Sequence, residues 1–394
     1  MRAGIFFAWT TPHAFFSSKC CTRRIYTQLV HPSLAEIDWL KFLRRPLLNP
    51  VASRPVDELA KRSLLITGAG GSIGSELAAR CAAFGPRKLC LLEASESRLF
   101  QLHQQLSPTT RTTQSVFMLG NLNDPSLLDE IFAQHAPDLI FHAAAFKHVP
   151  LLEEQPLAAI ANNVLATEIL ANAAAEHGAR LVLLSTDKAV MPISLLGATK
   201  RAAEQVVLQY GGVAVRLGNV LASSDSVTEI FAHQIAQGGP ITVTDPAARR
   251  FFLTLDEAAE MLLAASSEQD CVLTPAIHEQ NFIADLARFL AEELAPGRTI
   301  PITFTQLRAG DREKERLWSP EESARSSSIS GMFHITSPRI PRDLLDDAVS
   351  RMRRAVATRD RAAALDALSS LVPEYALQGT TSPFRRSSVM RVAQ

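Results

Sequence analysis

Between residues 64 and 185, short apolar runs alternate with longer stretches whose apolar positions recur every three to four residues. The first run, Leu64-Leu65-Ile66-Thr67, stops at Gly68, and Ile73, Leu77 and Ala78 beyond the glycines have helical spacing. Further runs at residues 88–92, 115–118, 138–142 and 180–185 predict four more strands, with helices over 125–135 and, rich in alanine, over 156–177. This alternation predicts an α/β fold, a doubly wound parallel sheet of Rossmann type with helices on both faces. Ligands of such sheets bind at the carboxyl ends of the strands.

Past Arg216 the alternation loosens. A sixth strand is predicted at 213–215, a helix over 227–237, a turn at Gly238-Gly239-Pro240, a short strand at 241–243 and a serine-rich loop at 326–330. Residues 342–371 have the pattern of two amphipathic helices, and the tail after Tyr375 has turn and disorder composition. At the other end, Ile5-Phe6-Phe7-Ala8-Trp9 and Ala14-Phe15-Phe16 are apolar but interrupted, far short of the ~20 residues a bilayer span needs. The expected organisation is a partly disordered leader and strap (1–60), a dinucleotide-binding Rossmann domain (61–215), a smaller substrate-binding lobe whose strands can return to the core (216–338), and C-terminal helices with a tail (339–394).

Composition narrows the function classes. Lys plus Arg (40) equals Asp plus Glu (40), so no net field draws the chain to nucleic acid or to an anionic membrane. Five cysteines show neither metal-ligand spacing nor a disulfide framework, which fits a reducing, cytoplasmic setting without a metal or a membrane span.

The chemistry concentrates at the predicted strand ends. In Gly68-Ala69-Gly70-Gly71-Ser72-Ile73-Gly74, the first spaced glycine permits a tight turn, Gly71 lets backbone approach a pyrophosphate, and Gly74 allows close helix packing. The N–H groups of a helix starting at Ser72 then point at the anion. Glu93 closes the second strand where an acid can accept the hydroxyl hydrogens of an adenosine ribose, which favours NAD over NADP, although Arg98 could reach a 2′-phosphate. After the fourth strand, Ala143 and Ala144 let backbone pass close to a cofactor. Lys147 and His148 follow, Lys147 being either a solvated loop lysine or a binder of substrate anion. The fifth strand ends in Thr186-Asp187-Lys188, where acid and base are adjacent, with capping of a helix by Asp187 as the plainer alternative. Lys200, one turn after Leu196, is suited to a nicotinamide ribose.

Residues 68–76, 142–150, 185–190 and 197–201, together with 215–221, 250–254 and 371–375, resemble the nucleotide-sugar 4,6-dehydratases of the extended short-chain dehydrogenase/reductase superfamily. More narrowly, they resemble the CapD-like polysaccharide-biosynthesis branch acting on UDP-N-acetylglucosamine. The resemblance implies that Gly68, Gly71, Ser72, Ile73 and Gly74 hold the pyrophosphate of NAD or NADP, that Glu93 and Asn121 face the adenosine, and that Lys200 holds the nicotinamide ribose. It further implies that Lys147, His148, Asn219, Arg250 and Arg308 bind a UDP-sugar. Thr186, Asp187 and Lys188 would flank that sugar, Lys188 as base at C5 and Asp187 as acid for the C6 hydroxyl after oxidation at C4. Self-association into a homo-oligomer is expected as well.

The sequence departs from the family pattern at several positions. Leu196 replaces the superfamily tyrosine, Asn121 a usual Asp, Met191 a common Asn, and Asp225 and Glu229 a usual Gly and Pro; Arg308-Ala309-Gly310-Asp311 is a degraded Arg-Pro-Gly-Glu-Lys element. Two rival functions follow: a 4-epimerase, which needs no acid at C6, and a non-catalytic binding paralogue.

Overall fold

Nine strands form the central sheet of the computed structural model, which describes residues 34–48, 59–107, 114–308 and 310–378. They are β1 (Ser63–Thr67), β2 (Lys88–Glu93), β3 (Ser115–Leu119), β4 (Leu139–His142), β5 (Arg180–Thr186), β6 (Val213–Leu217), β7 (Cys271–Pro275), β8 (Ser323–Ser326) and β9 (Met332–Thr336). Their spatial order is β3-β2-β1-β4-β5-β6-β7-β9-β8. The first seven run parallel; β9 joins β7 antiparallel, and β8 joins β9 likewise. The strand order reverses between β1 and β4, so the connections leave those two carboxyl ends in opposite directions and open a crevice there.

Burial on both faces explains why the strands read as continuous apolar runs rather than as alternations. Leu64 and Ile66 of β1 pack with Leu77 and Cys81 of the helix Ser72–Ala83 and with Met261 and Leu262 of Leu255–Ala265. Leu65 points the other way, into a core shared with the helices Pro125–His135, Leu195–Gln209, Arg342–Ala357 and Arg361–Leu371. The expected alanine-rich helix is Pro156–Glu176, with one wider π turn at Ala161–Leu165. By length and composition it could cross a membrane, but here its apolar side chains are mostly buried between the sheet and the C-terminal helices.

The second lobe has its own core, in which Phe231, Phe252, Leu286 and Leu290 meet Leu34, Phe42 and Leu43 from the strap. The Phe42 ring lies 5.5 Å from the rings of both Phe252 and Phe289. Arg45 then bonds Glu257 Oε2 at 2.9 Å, which fastens the strap to the helix Leu255–Ala265. Short pairs hold the lobe: Asn219–Val220 on Phe252–Leu253, Ile241–Val243 on Ile302–Phe304, and Arg249–Arg250 on Asn281–Phe282. Two expectations need adjusting. The sixth strand runs on to Leu217, and Ser326 closes β8 instead of opening a loop. The leader expected before residue 34 and the end of the tail after residue 378 lie outside the described residues.

Candidate active site

β1 leaves the sheet at Gly68, whose φ of +65° turns the chain; a Cβ there would stand 2.6 Å from the backbone nitrogen of Ala144. A Cβ on Gly74 would stand 2.1 Å from Gly68 O, so the helix Ser72–Ala83 can back onto the turn only with hydrogen at that position. Gly71 is the N-cap and offers no side chain, so the first N–H groups of the helix stay open toward the crevice. This is a cradle for an anionic diphosphate, and its shape fits the dinucleotide expected there. Gly70 adds a contact that spacing alone did not reveal: its N–H donates to Glu93 Oε2 at 2.9 Å. The other oxygen of Glu93 accepts from Ser95 N–H at 3.0 Å. Each carboxylate oxygen keeps a second lone pair with which to receive a ribose hydroxyl.

From this cradle a cleft of about 840 Å³ runs past the ends of β4, β5 and β6. It brings together Gly68, Gly71, Ser72, Ile73, Gly74, Glu93, Asn121, Ala143, Ala144, Lys147, His148, Thr186, Lys188, Lys200 and Asn219. It does not bring in all of the expected residues. Asp187 is fully buried and meets the cleft through Thr186 and Lys188; Arg250 lies behind it, 3.7 Å from Glu315; and Arg308 is exposed and not part of the cleft wall.

Beyond the cradle, the loop 223–226 crosses the mouth. Ser224 N–H donates to Ser72 Oγ at 2.8 Å, Lys147 Nζ donates to Ser224 O, and Asp225 lies 3.6 Å from Arg98 and 3.9 Å from His148. Asn163, in the π turn, clamps Phe146 by accepting from its N–H (2.9 Å) and donating to its carbonyl (3.0 Å). The wider winding turns Asn163 toward this loop, the use to which π turns are often put. An Asn-Asn pair inside an alanine-rich helix was the one sequence signal for it.

At the far end, Thr186 Oγ1 donates to Asp187 Oδ1 at 3.0 Å, and Lys188 Nζ meets the same oxygen at 3.0 Å and Asn219 Oδ1 at 3.1 Å. Burial disfavours the Lys188 ammonium, but Asp187 and then Glu315 outweigh it, so the amine is held protonated above its usual range. Lys200 is the opposite case: burial lowers it to about 8, and Glu204, which could offset that, is bonded to Arg216 and Ser185. His142, between Thr67 Oγ1 (2.7 Å) and Thr167 Oγ1 (2.9 Å), is kept neutral by burial, its pKa pushed down to about 3. Leu196 lines the cleft one turn before Lys200 and offers no proton acceptor. Sequence reasoning did not find Glu315, because nothing along the chain connects it with Lys188.

Residues 64–337 match the family described as "Polysaccharide biosynthesis protein". The capsular polysaccharide biosynthesis protein CapD of Staphylococcus aureus is 38% identical over 67% of this chain and 46% of its own length, so the chain spans about half of that relative. A UDP-glucose 4-epimerase of Rickettsia prowazekii is 31% identical over 72% of this chain and 84% of its own. Among solved structures, Pen of Bacillus thuringiensis superposes with a TM-score of 0.65 at 26% identity, covering 71% of this chain and 89% of that one.

Proposed function

The chain belongs to the polysaccharide biosynthesis protein family, and from that premise we propose that it is an NAD-dependent nucleotide-sugar 4,6-dehydratase acting on a UDP-N-acetylhexosamine, with UDP-N-acetylglucosamine the first candidate. Bound in the glycine cradle, NAD would supply a reversible hydride acceptor for sugar C4. The observation that carries the reading is the Asp187-Lys188 pair at the carboxyl end of β5, whose lysine opens on the same cleft as the cradle while Asp187 stands buried behind it. Once C4 is a ketone the C5 proton is acidic, and Lys188, having first passed its own proton to the Asp187 carboxylate it touches, is the proposed base that removes it. Asp187, carrying the proton received from Lys188, would return it through Thr186, which lines the cleft, to the departing C6 hydroxyl, which leaves as water. Lys200 and the cradle orient, and Lys147 and His148 stand where a sugar diphosphate would enter. The chain is proposed to work in the cytoplasm and to self-associate.

A 4-epimerase has specific support in the Rickettsia relative. Incubation with NAD and UDP-N-acetylglucosamine separates the two: a product lighter by one water and carrying a ketone supports the dehydratase, and an isobaric C4 epimer supports the rival. No conversion, with NAD bound, would leave a binding paralogue. Because Glu93 lines the cleft with its carboxylate at the ribose end, NAD is expected to bind several-fold more tightly than NADP. Calorimetric titration with both checks this, and equal affinities would mean that Glu93 does not face the ribose.

A further inference from the structure

A buried carboxylate stands directly behind the cleft and is not part of its wall. Glu315 lies on a segment pinned from both sides: Gln280 Nε2 donates to Glu315 O at 3.0 Å, Glu315 N–H donates to Gln280 Oε1 at 3.2 Å, and Arg249 N–H donates to Glu313 O at 2.7 Å. The backbone therefore fixes where the side chain goes. Its Oε1 stands 3.7 Å from Lys188 Nζ and 3.7 Å from Arg250 Nε, while Oε2 is buried without a hydrogen-bond partner among the described residues. Asp187 Oδ2 is in the same condition. Two carboxylates thus face the Lys188 amine, Asp187 at 3.0 Å and Glu315 from a place midway between that amine and Arg250. An unsatisfied buried oxygen is costly, so packing alone does not account for the second carboxylate.

We propose that Glu315 is a positioning residue of this site: from behind the cleft wall it holds the Lys188 amine between two carboxylates and so governs whether that amine meets the sugar charged or neutral. The proton-transfer part of the inference rests on the dehydratase reading; the pairing rests on geometry alone. The charged groups facing Lys188 are Asp187 on its own turn, Arg250 from the strand Arg249–Arg250, and Glu315; burial raises the Glu315 carboxyl, and Lys188, Arg250 and Arg312 draw it back down. Asp187 and Glu315 favour the ammonium, and Arg250 and burial oppose it. Glu315→Gln keeps the size of the side chain and removes its charge, so burial gains and Lys188 releases its proton at lower pH.

The test uses the full chain with NAD and UDP-N-acetylglucosamine, comparing wild type, Glu315→Gln and Glu315→Asp. Two profiles are read against pH: kcat, and the labelling of Lys188 by competitive acetylation followed by mass spectrometry, which needs no turnover. Glu315→Gln is expected to move both midpoints down by about one pH unit with KM little changed, and Glu315→Asp to fall between it and wild type. Wild-type labelling midpoints in both variants, with kcat lowered at every pH, would reduce Glu315 to a structural prop and overturn the inference. If Glu315→Gln does not fold, a wild-type midpoint in Glu315→Asp overturns it as well. A labelling shift in a protein that converts no UDP-N-acetylhexosamine would retire the dehydratase reading and leave the pairing standing.

Discussion

Two departures from the family pattern acquire a physical meaning in the backbone. Met191 has φ +45° and Asp225 φ +55°, in the left-handed region where Gly and Asn are tolerated and other side chains crowd the carbonyl. Asn and Gly, the residues that the resemblance leads one to expect at 191 and 225, would relieve that strain. Met191→Asn is therefore expected to stabilise the fold by about 0.5–1 kcal/mol, read as a rise in the midpoint of chemical denaturation; an unchanged or lower midpoint would mean that the methionine side chain offsets its backbone. Asp225 differs, because its carboxylate meets Arg98 and His148 across the cleft mouth. Leu196 bears on turnover under the proposed dehydratase reading. Its own side chain would offer no acceptor for the C4 hydroxyl proton, and base help of that kind is worth ~10²–10⁴ in rate. Lys200 is one turn away with its pKa near 8, and its remaining charge would favour the phenolate of a tyrosine at 196. Leu196→Tyr is expected to raise kcat for UDP-N-acetylglucosamine, measured under NAD saturation. Unchanged turnover would place the C4 base elsewhere in the cleft.

At the scale of elements, the glycine turn and its helix are coupled by one close approach. With a Cβ at residue 74 only 2.1 Å from Gly68 O, the helix Ser72–Ala83 must move or tilt to admit an alanine. Gly74→Ala is expected to weaken NAD at least ten-fold, because the open N–H groups are displaced from the anion, while the far-UV circular dichroism stays close to that of wild type. Unimpaired NAD binding would show that the cradle is not the dinucleotide site. This half of the molecule was legible in sequence because its strands are buried on both faces and its helices on one, so each wrote its period into the chain. That strands return from the lobe was expected, but their positions were not legible. β8 is Ser-Ala-Arg-Ser, exposed throughout at the sheet edge, where polar residues guard against further pairing and no alternation survives. The lobe pairs at residues 219–220 and 252–253 are too short to carry a period. In the cleft, the residues on contiguous strand ends (Gly68, Ala143, Thr186, Lys188) were found where expected. Contacts made by tertiary approach were not: Glu315 arrives behind Lys188 from the C-terminal segment, Asn163 reaches Phe146 through the π turn, and Arg308 stays outside the cleft.

Across the whole molecule, a single buried cation ties the dinucleotide-binding half to the strands that return from the lobe. Arg216, fully buried on β6, bonds Glu204 Oε2 (2.8 Å) from the helix Leu195–Gln209, Glu322 Oε2 (2.8 Å) from just before β8, and the carbonyl of Leu317 (3.2 Å). Arg201 adds a bond to Glu322 at 2.9 Å and an ion pair with Glu374 near the last described helix. Hydrogen bonds from Arg216 hold the Glu322 carboxyl down to about 2, against 4.5 for an ordinary glutamate, and Glu204 is lowered in the same way. The unfolded chain therefore binds more protons than the folded one in this interval. Stability from these groups is complete above about pH 4.5 and is lost as pH falls toward 2. His142 acts in the same sense over a higher window, since it is neutral in the fold down to about pH 3 but protonates near 6.5 when unfolded. Acid should thus loosen the return strands and the dinucleotide half together. Glu322→Gln leaves the Arg216 charge only partly compensated, and breaking a buried pair of this kind costs about 3–5 kcal/mol. Denaturant titrations at pH 7 and pH 4 are expected to show the variant well below wild type at the higher pH, with the gap narrowing at the lower one as the wild-type carboxylate begins to lose its advantage. A gap of equal size at both values would mean that Glu322 contributes through packing and not through its charge.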